Sequence, residues 1–250
     1  MRSTILAALL TGLLAAPASF AQDASPAIAA AIADSSRPAA DIERDTNRHP
    51  AELLAFADVQ PGAVVVDWIP GGGYFTRLFA GVVGEGGTVY ALVPAELKDK
   101  YDLGKNAEAV AAERKNVTAI IEPMLATTSI KDADIFWTSQ NYHDLHTPGF
   151  GSVDTLAFNK QVFAMLKPGG YYVIVDHRAA DGAPVDETAD GLHRIDPAAV
   201  KAEVEAAGFV FDSESVVLAN PADDHTLNVF DEKVRGHTDQ FIYKFRKPVE

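Results

Sequence analysis

The protein has 250 residues, 48% of them hydrophobic, and a mean hydropathy close to zero. That length and composition predict one compact domain with a sizeable core, preceded by a short appendage. The 35 acidic and 21 basic side chains give a net charge of −14, which argues against a nucleic-acid partner. The sequence contains no cysteine, so no disulfide bond stabilises the fold.

Residues 1–21 have the pattern of a secretory signal peptide. Arg2 supplies the positive charge, residues 5–16 are apolar, and Ser-Phe-Ala at 19–21 is a small-x-small cleavage site. The apolar run is too short for a membrane span, and an uncleaved anchor is the alternative interpretation. We therefore predict a periplasmic or secreted protein, with no membrane contact after signal removal. Without Arg2 the charge becomes −15.

The next segment, residues 22–37, is rich in Ala, Ser, Asp and Pro, and its composition predicts a flexible leader. A domain is predicted over residues 38–250. It opens with two short helices at 41–45 and 50–57, the second starting at Pro50.

Strands and helices alternate through the rest of the chain, which predicts an α/β fold with a mostly parallel sheet. The predicted strands are 64–67, 88–93, 116–121, 133–138, 171–176, 209–218 and 241–245. The predicted helices between them are 74–80, 105–115, 153–166 and 197–207. A helix stop with turn chemistry is predicted at 167–170. The last two strands have no helix between them, so we expect a C-terminal hairpin that contributes one antiparallel strand.

A glycine-rich turn joins the first predicted strand to the helix that follows it. Pro70 and three glycines, 71–73, interrupt the apolar pattern there. Glycine serves such a turn in two ways: it permits a tight change of direction, and it lets the backbone approach a ligand without a Cβ. The pattern predicts a ligand-binding turn at the carboxyl end of the first strand.

Three segments in this order resemble motifs of the class I S-adenosylmethionine-dependent methyltransferases. They are 65–76 with the glycine turn, Leu-Lys-Pro-Gly-Gly at 166–170, and Ala-Ala-Gly-Phe at 206–209. The resemblance covers roughly residues 38–247 and implies a Rossmann-like, seven-stranded methyltransferase sheet. The chain also resembles a smaller group of exported, methyltransferase-like bacterial proteins with a Pro-Gly-Gly-Gly-Tyr turn.

The resemblance implies S-adenosylmethionine as the cofactor and suggests which residues bind it. Asp67 corresponds to the acid that holds the methionine end, and Glu122 to an acid that faces the adenine. The implied cofactor-binding set is Asp67, Gly71, Gly72, Gly73, Tyr74 and Glu122.

Two positions depart from the family pattern. Ile69 stands in place of the first glycine of the turn. Val93 stands where the family has an acid for the ribose hydroxyls, and valine cannot accept those hydrogen bonds. Glu96 is a candidate substitute for that acid.

Residues 140–146 follow the fourth strand, where the family places catalytic or substrate-orienting groups. Methyl transfer needs an aligned nucleophile and often a base, which His143 or Asp144 would supply. Asn141 is a candidate for binding a polar group of the substrate. The alternative is a polar loop in which Asp144 caps the next turn.

His and Asp side chains also follow the fifth strand, at 176–177. Together with His143, Asp144 and His146 they could hold a divalent metal, but their spacing matches no fixed metal motif, so no metal site is predicted. His193 precedes a helix for which Asp196 is the predicted N-cap. The acidic runs 181–190 and 223–224 are predicted to be solvated surface.

The predicted function is S-adenosylmethionine-dependent methyl transfer to an unknown small molecule. The alternative, motivated by Ile69 and Val93, is a non-catalytic exported binding protein on a degenerate methyltransferase fold. A metal-dependent hydrolase on the same scaffold is a third alternative. The sequence gives no prediction of oligomeric state.

Overall fold

A computed structural model describes residues 25–126, 128–151 and 153–249. The predicted signal peptide, 1–21, lies outside these residues, so export stays a prediction. Within the described ranges, no helix combines the length and the apolar character that crossing a bilayer requires.

A single seven-stranded sheet forms the centre of the molecule, in the order β3-β2-β1-β4-β5-β7-β6. The strands are β1 Val64–Trp68, β2 Thr88–Pro94, β3 Val117–Glu122, β4 Ala133–Ser139, β5 Leu166–His177, β6 Val210–Ser215 and β7 Gln240–Arg246. The first five pair in parallel, and β7 is antiparallel to both of its neighbours, β5 and β6. The predicted seven-stranded, mostly parallel methyltransferase sheet is confirmed.

Helices cover both faces of this sheet, as parallel βαβ units require. They are α1 Pro26–Ile32, α2 Ala39–Arg48, α3 Pro50–Phe56, α4 Tyr74–Val83, α5 Leu103–Glu113, α6 Thr155–Met165, α7 Val185–Leu192 and α8 Pro197–Ala206. The predicted helices at 41–45, 50–57, 74–80, 105–115, 153–166 and 197–207 correspond to α2 to α6 and α8.

An aromatic cluster forms where α4 packs on β4. Phe75 and Phe79 of α4 lie 4.8 and 5.4 Å from the Trp137 ring of β4, and all three side chains are buried. Such aromatic contacts add to the burial of apolar surface that drives folding. This packing fixes the first turn of α4, and hence the glycine turn before it, relative to the sheet.

Four segments differ from their predictions, one of them the acidic run 223–224, in which Asp223 is buried and pairs with Arg194. The described part of the predicted flexible leader contains α1, because Ile28 and Ala31 are buried and this helix packs on α4. The acidic run 181–190 contains most of α7, whose Ala189 is buried. Residues 167–170 belong to β5 rather than to a free turn.

The predicted hairpin is an antiparallel pair without a tight turn. A long connection, 216–239, joins β6 to β7 and passes over the carboxyl edge of the sheet. It is held there by Arg194, whose buried guanidinium pairs with Asp223 at 2.9 Å and donates to the Leu227 carbonyl. The Asp223 carboxylate also accepts the Asp239 amide at 2.7 Å, which ties the end of the connection to its middle.

Candidate functional site

Two adjoining cavities, of about 530 and 460 Å³, lie at the carboxyl edge of the sheet. Ligands bind at this edge in open α/β folds because the loops there diverge on either side of the central strands. The residues that line both cavities are Arg44, Arg48, Phe75, Ser139, Gln140, His177, Val229 and Phe230. The larger one also contains most of the residues predicted from sequence, and it is the candidate site.

The glycine turn, residues 69–74, forms one wall of the larger cavity. Gly71 and Gly73 have φ angles of 57° and 82°, the left-handed region that glycine enters without strain. A Cβ on Gly73 would lie 2.3 Å from Val110 Cγ2, so this glycine also permits close packing of α5. Gly72 has open space where a Cβ would project, toward the cavity that it lines.

Ile69 also has a positive φ, 53°, in the position where the family has its first glycine. This backbone conformation is rare for a β-branched residue, and the left-handed region costs about 1–2 kcal/mol for a residue with a Cβ. Ile69 is buried and its amide donates to the Leu92 carbonyl at 2.8 Å. The substitution therefore keeps the shape of the turn rather than closing the cavity.

Asp67 lies at the end of β1 and lines the same cavity. Its Oδ2 accepts a hydrogen bond from Thr76 Oγ1 at 2.6 Å, and Arg48 is the cation that acts on it. Burial raises the pKa of Asp67 to about 7, against the opposing effects of Thr76 and Arg48. Among the residues that the structure describes, no donor contacts Oδ1, so one carboxylate oxygen is free for a ligand.

Tyr74 connects the glycine turn to α2. Its hydroxyl donates to Asp45 Oδ1 at 2.7 Å, and its ring lies 4.9 Å from the Arg48 guanidinium. Burial and the neighbouring carboxylate raise the pKa of Tyr74, so it stays a neutral donor. Tyr74 lines the cavity with its ring, and its hydroxyl serves to hold α2 in place.

Asn141 lies beside Asp67 and Ile69 in the cavity wall, but its amide is used within the protein. Its Nδ2 donates to the Ser139 carbonyl at 2.9 Å and approaches the Ile69 carbonyl at 3.4 Å. Asn141 thus links the carboxyl ends of β1 and β4. The predicted substrate-binding role remains a prediction.

His143 and Asp176 form a buried pair on the opposite wall. Asp176 is fully buried, and its two carboxylate oxygens contact His143 Nδ1 at 2.8 Å and the His143 amide at 2.9 Å. Burial alone would raise the pKa of Asp176, but the His143 ring holds it below its ordinary value. The same carboxylate outweighs burial of the imidazole and raises the pKa of His143. Asp176 therefore fixes the ring with Nε2 directed away from it.

Asp144 and His193 approach that free Nε2 atom. His193 Nδ1 lies 3.3 Å from it and the Asp144 carboxylate 3.6 Å from it. The Asp144 oxygen is also 3.8 Å from His193 Nδ1. We call His143, Asp144 and His193 the histidine cluster; all three line the larger cavity. Burial raises the pKa of Asp144 and lowers that of His193.

Two other histidines lie near the cluster, but their ring nitrogens contact residues outside it. His177 Nδ1 contacts Thr238 Oγ1 at 2.7 Å, and burial lowers its pKa to about 3, so it is neutral. His146 lies between Glu203 and Asp186, at 3.2 and 3.3 Å.

Glu122 lies apart from the other predicted cofactor-binding residues. Its carboxylate accepts from Ser129 Oγ at 2.6 Å, and it borders a different, very small pocket behind β2 and β3. Val93 is fully buried, and Glu96 accepts the Met124 amide at 3.1 Å, so neither lines the larger cavity. The structure thus brings together Asp67, the glycine turn, Asn141, His143 and Asp144, but not Glu122.

Several residues of the site carried no functional prediction from sequence, among them Arg44, Lys100 and Phe230. Arg48 belongs to a segment that the family resemblance places over the cofactor, with a solvated turn as the alternative expectation, and His193 was expected only to precede a helix. The signal that could have identified Arg48 is its place one helical turn after Arg44, facing Tyr74. Phe230 and Val229 come from the long connection, whose path over the sheet has no local pattern.

The wall with Asp67 can bind a cationic group, and the opposite wall can accept a proton or bind a metal ion. Arg48 adds a positive charge beside Asp67 and forms no ion pair with any residue in the described ranges. A ligand that carries both charges, such as an amino acid, fits this pair of residues.

No protein-family model matches the sequence, and the comparison with curated proteins finds no match. Solved structures do match. An S-adenosylmethionine-dependent methyltransferase from Aquifex aeolicus is similar with a TM-score of 0.55 and 18% identity, over 78% of this chain and 88% of that one. Fibrillarin from Aeropyrum pernix, crystallised with bound S-adenosyl-L-methionine, is similar with a TM-score of 0.51 and 9% identity, over 75% and 67% of the two chains.

The [4+2]-cyclase SpnF is similar with a TM-score of 0.59 and 16% identity, over 85% of this chain and 82% of that one. A cyclase among these neighbours illustrates that one fold carries several activities. With the strand order and the antiparallel β7, the comparisons give a structural conclusion. The chain has the Rossmann-like fold of the class I S-adenosylmethionine-dependent methyltransferases.

Proposed function

We propose that the protein binds S-adenosylmethionine and transfers its methyl group to a small molecule. The observation that carries the proposal is that Asp67 and the glycine turn share one cavity with the His143–Asp176 pair. A cofactor-binding wall and a wall able to accept a proton thus face the same space, at the carboxyl edge of a methyltransferase sheet. The cofactor, when bound, supplies a methyl group activated by a positively charged sulfur.

The residues present fit the methionine half of this cofactor. Asp67 has a free carboxylate oxygen for the ammonium group, Arg48 has an unpaired charge for the carboxylate, and Gly72 leaves open space for a close approach. On the adenosine side, Tyr101 and Leu103 line the cavity in place of the missing ribose acid. An exposed aromatic ring at Tyr101 suits stacking on a base.

On the opposite wall, His143 would accept a proton from the nucleophile of the substrate. Asp176 makes this possible because it holds the ring in one tautomer and stabilises the charge that the ring gains. The substrate is proposed to be a small molecule because Phe230 and Val229 of the connection limit the cavity on one side. The alternative of a binding protein without catalysis rests on Ile69 and Val93, and the cavity beside Ile69 is open.

A calorimetric titration of the full chain with S-adenosylmethionine and S-adenosylhomocysteine tests the proposal. Asp67→Asn keeps the Thr76 hydrogen bond and removes the charge, so we expect affinity to fall by about 1.5–3 kcal/mol, or roughly 10- to 100-fold. Because the pKa of Asp67 is about 7 before binding, affinity for the ammonium group should rise with pH up to about 7 and then level off.

Glu122→Gln is the matched control, since it also removes one carboxylate charge but outside the cavity. It should leave affinity unchanged. A loss of affinity in this variant would return Glu122 to the adenine-binding role that the resemblance implies. Absence of heat with either ligand at millimolar concentration would overturn the proposal.

A further inference from the structure

We propose that the histidine cluster is a zinc site. The three ligand atoms, His143 Nε2, Asp144 Oδ1 and His193 Nδ1, form a triangle with sides of 3.3, 3.6 and 3.8 Å. A point equidistant from the corners of such a triangle lies about 2.1 Å from each. That is the zinc–nitrogen and zinc–oxygen distance found in proteins. One ion at this point would contact all three residues without a change in their positions.

The side lengths also favour one coordination geometry. Ligand atoms about 2.1 Å from an ion are about 3.4 Å apart at a tetrahedral angle and about 3.0 Å apart at a right angle. The observed separations, 3.3 to 3.8 Å, exceed the octahedral case and lie between the tetrahedral spacing and the spacing of about 3.6 Å in a trigonal plane, so a fourth ligand would complete a flattened tetrahedron. Two histidines and one carboxylate with an open fourth position form a frequent set of ligands for a reactive zinc ion.

Asp176 completes the arrangement behind His143. A histidine that binds zinc usually donates its other ring N–H to a carboxylate, which fixes the tautomer and makes the bound nitrogen more basic. His143 Nδ1 makes this contact with Asp176 at 2.8 Å, and the carboxylate is fully buried. The His143 Nε2 lone pair is thereby directed at the other two ligands.

His193 occupies a left-handed backbone position, which most residues other than glycine avoid and histidine enters more often than most. It ends α7 with φ 53° and ψ 47°, a left-handed position that glycine or asparagine normally occupies. Its ring packs against Phe230 at 5.0 Å and lines the cavity.

His143, Asp144 and His193 line the cavity that also contains Asp67 and the glycine turn, so a fourth ligand would come from that cavity. A hydroxyl or thiol of a small molecule would bind there, and zinc lowers the pKa of such a group so that its proton leaves to water. This gives the substrate class as small molecules with an oxygen or sulfur donor, an assignment that rests on the proposed methyl transfer. With zinc bound, this route would replace the proton transfer to His143 described above, because Nε2 would then be a metal ligand. The binding of zinc itself does not depend on that function.

Metal analysis of the full chain, made without a histidine tag and purified without chelator, tests the site. We expect one zinc per chain after equilibrium dialysis against zinc sulfate, and intense visible bands of tetrahedral cobalt after exchange with Co²⁺. A chain that retains no zinc would overturn the proposal. In that case the His143–His193 contact is a hydrogen bond from His193 Nδ1 to His143 Nε2.

His193→Asn removes the imidazole and keeps a residue that tolerates the left-handed backbone. It should lose zinc binding and the cobalt bands with an unchanged melting temperature in chelator. Asp176→Asn should weaken zinc binding about 10- to 100-fold. His146→Asn is the control, because His146 is a nearby histidine outside the cluster, and it should bind zinc like the unmodified chain. Equal zinc binding by His193→Asn and the unmodified chain would overturn the proposal.

Titration of S-adenosylmethionine into zinc-loaded and chelator-treated protein separates the two proposals. Zinc binding without cofactor binding supports the metal site and overturns methyl transfer. Cofactor binding by a chain that takes up no zinc supports the proposed methyl transfer and overturns the metal site.

Discussion

The glycine turn and the histidine cluster face each other across one cavity but are built in different ways. The turn is six consecutive residues, and its backbone angles and glycines give it its shape. The cluster takes its members from two loops that are distant in sequence, and Asp176 and the buried Arg194–Asp223 pair hold it together. A mutation in the turn therefore acts through backbone strain, whereas a mutation around the cluster acts through buried charge.

This difference also separates the two kinds of chemistry. The glycines of the turn let a ligand approach the backbone closely, and the end of β1 beside the turn supplies one carboxylate, Asp67. The cluster supplies side-chain nitrogen and oxygen atoms at fixed distances. Four experiments test the comparison, described in order of decreasing expected effect.

The largest effect is expected from Asp223→Ala. Arg194 would be left buried without its carboxylate, and breaking such a pair reduces the free energy of unfolding by about 3–5 kcal/mol. Urea denaturation monitored by circular dichroism measures the loss. Asp224→Ala, which changes a solvated neighbour, should leave the midpoint unchanged. A similar midpoint for Asp223→Ala and the unmodified chain would show that the connection does not depend on this ion pair.

Asp67→Asn should stabilise the protein, and more so as pH rises. Burial raises the pKa of Asp67 to about 7, so between pH 4 and 7 the folded chain keeps a proton that the unfolded chain releases. The unmodified protein therefore loses stability through this window, and asparagine does not. We expect the variant to gain about 2–4 kcal/mol relative to the unmodified protein between pH 4 and 8. If the urea midpoint of the Asp67→Asn variant equals that of the unmodified protein at both pH 4 and pH 8, the raised pKa of Asp67 is contradicted.

Gly73→Ala and Gly72→Ala test the turn with the same chemical change. Gly73 has a left-handed φ and no room for a Cβ beside Val110, so we expect a loss of about 2–3 kcal/mol. Gly72 has neither restriction, so its variant should retain the stability of the unmodified protein and lose only cofactor binding. The melting temperatures of the two variants measure the difference in stability. A larger loss of stability in Gly72→Ala than in Gly73→Ala would contradict this account of the turn.

The smallest effect is expected from Tyr74→Phe. It removes one hydrogen bond to Asp45, which keeps its pair with Arg37, so stability should fall by about 1–2 kcal/mol. Tyr101→Phe, which removes an exposed hydroxyl, is the control for chemical denaturation. A loss as large as that of Asp223→Ala would mean that α2 depends on this single contact.

Local patterns predicted most of the fold and one wall of the site. Each of three local patterns is a run of consecutive residues: the apolar run before Asp67, the glycines after it, and the Leu-Lys-Pro-Gly-Gly segment. They predicted β1, the glycine turn and the position of β5. Glu122 was placed correctly at the end of β3, but its side chain bonds to Ser129 because the loop after it folds back. Such a contact depends on tertiary packing and leaves no periodic signal.

The histidine cluster illustrates the same limit more clearly. Two of its members, His143 and Asp144, follow β4, where functional residues were expected. The third, His193, ends a helix whose acidic residues were interpreted as a solvated loop. Only the path of the chain after β5 brings His193 within 3.3 Å of His143, and no spacing rule in the sequence encodes that path.

The position of β7 between β5 and β6 means that neither of these strands can pair there before β7 is in place. β7 pairs with β5 along its whole length and separates it from β6, although β6 comes earlier in the chain. Until residues 240–246 insert, β5 presents an unpaired apolar edge and β6 has no partner. The strand end that carries Asp176, opposite Phe241, therefore gains its neighbour last. A chain shortened before β7 would retain the glycine turn but expose a sheet edge prone to aggregation.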